Sequence, residues 1–228
     1  DELSAWAGGV EHCSPAVAVD MMLSLQTGGA GGQAYGEANA AWRAGGARSR
    51  ALRPAQDTNA PMFPGQVAVQ PFLSTETRRL AVALGLSTVD WFNVYPGPNV
   101  RALLATLPAA ARAGADRDAL TVRMIRAAEV DLAGRSPYYQ LVFAVRGVRD
   151  GVAAGVTAVL RTASSYRLTG LVGSLATVAV LDGHLPTGVH YAADVLDPAA
   201  VVTAVRRSGE LTLLSVTADG DTDEEGSL

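Results

Sequence analysis

The sequence contains no lysine; all eighteen of its basic residues are arginine. Chemistry that needs a lysine of this chain is thereby excluded, a Schiff base and the phosphate-cradling lysine of a P-loop among it. Cysteine is almost as scarce. Cys13 stands alone, so no internal disulfide and no four-cysteine zinc site can form. The net charge of −4 carries no basic excess, which argues against general nucleic-acid binding. Long apolar runs are also missing. The longest, Leu168 to Leu181, includes Thr169, Ser174 and Thr177 and falls short of the ~20 residues that a bilayer-spanning helix needs. The opening residues, DELSAWAGG, lack the basic start and apolar core of a signal peptide. These absences set the expectation of a soluble, cytoplasmic chain in a reducing setting, without membrane or nucleic-acid partners. The first residue is not Met, which points to a processed chain or a fragment.

What is present is an apolar chain of 228 residues, 49% hydrophobic, enough for one large domain or two small ones with a real core. Its richest glycine stretch is TGGAGGQAYG, Thr27 to Gly36, where Gly29, Gly31 and Ala34 match the G-x-G-x-x-G/A spacing of a dinucleotide-binding turn. The match lacks its context. The run before it starts with Ser14-Pro15, a helix N-cap followed by proline at the first helical position, rather than with a buried strand. EANAAWR after it has almost no apolar face, and ARSRALRPAQ before Asp57 is no buried strand. The stretch is therefore expected to be a loop at the domain edge or a lid over the pocket. Arg43, Arg48, Arg50 and Arg53 beyond it read as a solvated cluster or a phosphate-binding arm.

From Pro61 the pattern becomes regular. QVAVQPF (66–72) alternates as a strand, and Ser74 caps a helix that Gly85 ends. STVDWFNVY (87–95) is a strand. NVRALLATLPAAARAG is a helix with a kink or break at Pro108, and DRDALTVRMIRAAEV is another helix. YYQLVFAVRGV and VAAGVTAVLRT flank Asp150-Gly151 and predict a hairpin. Residues 165–183 predict a long helix buried on most sides. Asp197-Pro198 starts one more helix, ELTLLSV (210–216) makes a final strand, and 218–228 is an acidic, disordered tail. Strands and helices in this order give an α+β fold: an open, mixed, largely antiparallel sheet with helices packed mainly on one face. The expected division is 1–58, a helix plus a Gly/Arg-rich loop; 59–217, the main domain; and the tail.

Several elements of residues 60–210 follow one another in a recognisable order. They are G-x-x-D-G at Gly147 to Gly151, Y-x-L-T-G at Tyr166 to Gly170, L-x-G-x-x-P-x-G-V-H at Leu181 to His190, and V-L-D-P at Val195 to Pro198. This region resembles the C-terminal part of saccharopine dehydrogenase-like reductases. The resemblance implies a domain that shapes a substrate pocket and a dimer interface, next to a Rossmann domain that binds NAD(P). That nucleotide half has no counterpart here. The resemblance thus implies no cofactor held by this chain alone, and NAD(P) only if a Rossmann domain is supplied elsewhere.

Tyr166 can donate a proton, and Arg167 can hold a carboxylate beside Thr169; equally, Tyr166 packs, Arg167 is solvated and Thr169 caps a turn. Arg146 and Arg161 on the hairpin face either a substrate or solvent. Trp91 lies in an aromatic strand end that forms a core, a dimer interface or a substrate wall. His190, with His184, Asp182 and Asp194, makes a metal site conceivable, but Pro186 and Gly188 break its geometry, so it reads better as a pocket-edge proton donor or a turn. No metal is assigned. Ser174 lacks a G-x-S-x-G elbow, which disfavours a serine hydrolase. Two functions follow as expectations. One is the substrate-binding and dimerisation part of such an oxidoreductase, with hydride transfer to an imine or carbonyl, paired with itself or with a nucleotide-binding domain. The other is a stand-alone, cofactor-free small-molecule binder or cyclase/isomerase of secondary metabolism.

Overall fold

The computed structural model describes residues 1–23 and 35–219. Its organising strand is the first, β1 (Glu2–Val10), which lies inside the sheet between two strands that follow it by many residues. On one side β1 pairs in parallel with β7 (Thr88–Tyr95), Leu3 opposite Val89 and Ala7 opposite Asn93. On the other it pairs antiparallel with β8 (Tyr138–Arg149), which forms a hairpin with β9 (Val152–Thr162); β10 (Leu211–Ala218) closes that edge. The outer side of β7 is shared. Its first residues pair with β3 (Ala41–Arg43), which carries β4 (Gly46–Arg48), and its last pair with β6 (Gln66–Ser74). β6 in turn carries β2 (Gly36–Ala38) and β5 (Ala55–Asn59). The result is a mixed, mostly antiparallel ten-stranded sheet, and the fold is α+β. Residues 1–58 contribute β1 to β5 to this same sheet.

Seven helices are described: α1 (Pro15–Leu23), α2 (Thr75–Ala83), α3 (Pro98–Arg112), α4 (Arg117–Leu132), α5 (Ser165–Leu181), α6 (Ala192–Val195) and α7 (Pro198–Arg207). Their starts are chemically explicit. Ser14 Oγ accepts from Val17 N, Ser74 Oγ from Thr77 N, and Asp116 and Asp197 each accept from two amides of the first turn. The hairpin turn takes the two left-handed residues it needs, Asp150 at φ 54° and Gly151 at φ 80°. α1, α3 and α4 bury Leu103, Leu104, Leu107, Leu120 and Met124 against Tyr95 and Ala68 of the sheet. α2 covers the other end of that face through Ala81, packed with Leu3, Val89 and Trp42. The opposite face is covered by Ala60 and Phe63 of the β5–β6 loop, over Val94, Val142 and Val159, with Trp6 stacked on Phe92.

Three expectations need correction. α3 is not broken at position 108 but runs unbroken to Arg112. The cost of an interior proline, about 3 kcal/mol, is met by burial of Leu103, Leu104 and Leu107 on the same helix. The segment expected to be a Gly/Arg-rich loop contains β2, β3 and β4. The most consequential correction concerns α5, which has no buried residue. Leu168, Leu171, Val172, Leu175, Ala176 and Ala179 follow helical spacing, yet each is only half-buried, while Val178, Val180 and Leu181 are exposed. α5 packs mainly against α7, so its apolar composition outruns the surface available to cover it. The glycine match at Gly29, Gly31 and Ala34 lies outside the described residues, as does the acidic tail from 220.

Candidate functional site

A cavity of about 630 Å³ opens beyond the carboxyl ends of the parallel pair β1 and β7. Parallel strands leave their carboxyl ends free of hairpin connections, and open sheets place ligands there. Here the local sequence also makes room. β1 ends on Ala7, Gly8 and Gly9, which contribute almost no side-chain volume to the wall. Trp91, Asn93 and Tyr95 of β7, Tyr139 and Leu141 of β8, and Phe72 of β6 form the sheet side. Val17 and Met21 of α1 face them, and Ser165, Leu168 and Thr169 bring in the first turn of α5. Exposed Asp20, Tyr35 and Glu76 stand at the mouth.

Besides α1, which Ser14 caps, three helices begin at this cavity, and an acidic residue stands at or in the first turn of each. At α3, buried Asp131 reaches across from the end of α4. Its Oδ1 accepts from Asn99 N at 2.9 Å and Asn99 Nδ2 at 2.7 Å, and its Oδ2 accepts from Val100 N at 2.8 Å. At α5, Glu11 follows β1 and accepts from both the amide and the hydroxyl of Ser165. At α2, Ser74 supplies the cap and Glu76 sits in the first turn. Each arrangement satisfies amides that the helix cannot bond itself and sets a negative charge at the positive end of the dipole.

Two groups in the lining, Cys13 and Tyr139, are held neutral by burial. Burial, with a smaller contribution from Glu11, pushes the Cys13 thiol up to about 11. At neutral pH it is a thiol rather than a thiolate, so it serves as packing rather than as a nucleophile. Burial likewise pushes Tyr139 up to about 12, and Glu11 and Tyr95 add to the shift. Its phenol therefore stays a hydrogen-bond donor throughout the physiological range. His12 is the cavity's one imidazole, and its ring is exposed.

The residues singled out from sequence fall in different places. Trp91 and Thr169 line the cavity, and Trp91 packs edge-on against Phe143. Tyr166 lies just outside: its hydroxyl donates to His12 O and accepts from Ser14 N, both at 3.0 Å, tying α5 to the loop after β1. Arg167 pairs with Glu210 at 2.6 Å and is largely exposed. By strand alternation Arg146 and Arg161 lie on the sheet face opposite the cavity, Arg161 donating to Gln140 at 2.7 Å beside the Tyr138 ring. His190 is exposed, 3.2 Å from Thr187 O, in a loop that docks on α2 where Arg79 pairs with Asp194 and covers Tyr191. No group of three or more His, Cys, Asp or Glu residues is placed to hold a metal among the described residues. Glu11, Asn93, Asp131 and Tyr139 were not singled out from sequence. The only local signal was the small-residue run AWAGG directly before Glu11-His12-Cys13.

Compared with known proteins, the chain matches no family model and no curated sequence. No helix among the described residues is long and apolar enough to cross a membrane. No arginine is among the residues that line the cavity, and carboxylates already accept from the first amides of α3 and α5; a pyrophosphate is held by basic side chains or free helix N-termini.

Proposed function

We propose that this chain is the substrate-binding and dimerisation part of an oxidoreductase similar to the saccharopine dehydrogenases, acting on an imine or carbonyl substrate together with a nucleotide-binding domain that these residues do not supply. The cavity at the carboxyl ends of β1 and β7 carries this reading. It has the size of a small-molecule site, mostly apolar and aromatic walls, and a few fixed polar groups. Tyr139, kept protonated, is the group we assign to donate a hydrogen bond or proton to the substrate's reacting heteroatom, with Asn93 across β1 on the same wall. Trp91 and Thr169 shape the site. Calorimetric titration of NADPH into the purified chain is expected to give only heat of dilution. Saturable, tight binding by the chain alone would overturn the proposed division of labour.

The dimer is a second copy of this chain seated on α5 and the outer strands. α5 carries no charge from Leu168 to Leu181, and its apolar stripe is half-covered. A 17-residue helix is about 25 Å long and offers roughly 250 Å² along one flank, less than the ~800 Å² per partner of a stable interface. Val145, Val156 and Val216, which the register puts on one face of β8 to β10, extend it. Sedimentation velocity is expected to show a dimer at micromolar concentration, and Val178→Arg with Val216→Arg a folded monomer. A monomeric wild-type chain would remove this part of the reading. A stand-alone binder or cyclase/isomerase is the second reading. It is favoured by a cavity that sets Glu11, Asn93 and Tyr139 among apolar and aromatic walls; turnover of a substrate without dinucleotide would select it.

A further inference from the structure

The electrostatics of the cavity define what can enter it. Its lining includes Glu11, Asp20, Glu76 and Asp131, against a single histidine and no arginine. The arginines near the helix starts are all engaged elsewhere: Arg78 with Glu37, Arg79 with Asp194, Arg101 with Asp57 and Arg167 with Glu210. Asp20 and Glu76 are in no ion pair among the described residues. Residues 24–34, outside the described set, contain no charged side chain, so wherever they lie they cannot reverse the balance. The usual second means of holding an anion, an open helix N-terminus, is closed at α3 and α5 by Asp131 and Glu11. A carboxylate or phosphate on the ligand would meet negative charge at the mouth and on the floor, with no donor cation to offset its desolvation.

We infer that the cavity selects an organic cation, an amine or iminium carried on an aromatic or apolar body, and rejects carboxylates and phosphates of the same size. Glu11 is the inner counter-charge. Its two oxygens each take one hydrogen bond from Ser165, which fixes the carboxylate and leaves lone pairs for a ligand N–H. Trp91, Tyr95 and Phe72 supply ring faces for the cation and its apolar body. Asp20 and Glu76 draw a cation to the mouth, an effect that salt screens. This inference rests on the cavity's being the substrate site, and it fixes the charge of that substrate.

Three probes of matched shape separate the possibilities: phenethylamine, 3-phenylpropionate and the uncharged 2-phenylethanol. Each is titrated into the full chain and followed by nuclear magnetic resonance shifts and tryptophan fluorescence. The amine is expected to bind at least tenfold tighter than the carboxylate, and to weaken as salt rises while the alcohol does not change. Glu11→Gln, which keeps an acceptor for Ser165, is expected to lower amine affinity about tenfold and to leave the alcohol's unchanged. The doubly substituted Asp20→Asn, Glu76→Gln chain breaks no hydrogen bond described above. It should lose the salt dependence with its fold intact, which keeps the test open if the Glu11 variant fails to fold. A carboxylate that binds as tightly as the amine overturns the inference and leaves the site standing. Failure of all three probes to bind overturns the site itself.

Discussion

Replacing Asp131 with alanine is expected to lower stability by about 3–4 kcal/mol, read as a fall in thermal midpoint of roughly 10 °C. The side chain is only 4% exposed and accepts three hydrogen bonds, two of them from backbone amides at the start of α3. Without the carboxylate, those amides lie buried with no partner, and each such group costs about 1–3 kcal/mol. The position also opposes intrinsic preference, because an acid near the end of α4 faces the negative end of that helix's own dipole. Only the cap it provides to α3 accounts for its burial there. Gly97 tests the same geometry from the other side: a Cβ on it would lie 2.1 Å from Asp131 Oδ2. Asp131→Asn retains an oxygen acceptor and should lose about half as much. An alanine variant within 0.5 kcal/mol of the parent in chemical denaturation would show that water replaces the carboxylate at no cost.

Gly8→Ala is expected to cost nearly as much, and to abolish ligand binding with it. A Cβ at Gly8 would sit 1.9 Å from Val94 O and 2.7 Å from Val94 C, both backbone atoms of the neighbouring strand. No rotamer relieves a backbone clash, so β1 and β7 must part at the rim of the cavity. Overpacking of this kind costs roughly 3 kcal/mol. The same substitution at Gly170 serves as the comparison. That glycine lies inside α5, has no positive φ, and a Cβ there would meet nothing within 4 Å. Gly170→Ala should leave stability equal or raise it by about 0.5–1 kcal/mol. Urea denaturation of the two variants side by side gives opposite signs if the backbone approach at Gly8 is what demands glycine. Equal effects would assign both to helix and strand propensity alone.

Local chemistry made much of this fold readable. Asp150-Gly151 specified its hairpin because only residues tolerant of positive φ close that turn, and Ser14, Ser74 and Asp197 marked helix starts because their side chains bond amides two or three residues on. Trp91 and Thr169, singled out at an aromatic strand end and near a helix start, fall among the residues that line the cavity. β1 was not legible. ELSAWAGGV is rich in alanine and glycine, which have little strand preference, and its place is set by partners at Thr88–Val94 and Tyr138–Arg146. Glu11 and Asp131 escaped for a related reason: each caps a helix distant in the sequence, 154 residues away along the chain for Glu11 and 32 for Asp131. Composition alone misjudged α5, since an apolar helix declares that it needs cover and not whether its own chain provides it.

The central position of β1 has a kinetic consequence. The β8–β9 hairpin closes over a two-residue turn and can form within microseconds of its residues meeting. β1 is made long before β8 and cannot be fully seated until β8 follows, because Glu2 has to find Arg146 before its antiparallel edge is complete. At synthesis rates of about 5–20 residues per second, that edge of β1 waits on the order of ten seconds for its partner. Ala5, Ala7, Gly8 and Gly9 make the waiting strand a poor template for other chains, as small, weakly strand-forming residues do. The residues that leave room for a ligand in the finished protein thus also protect the chain while it is being made.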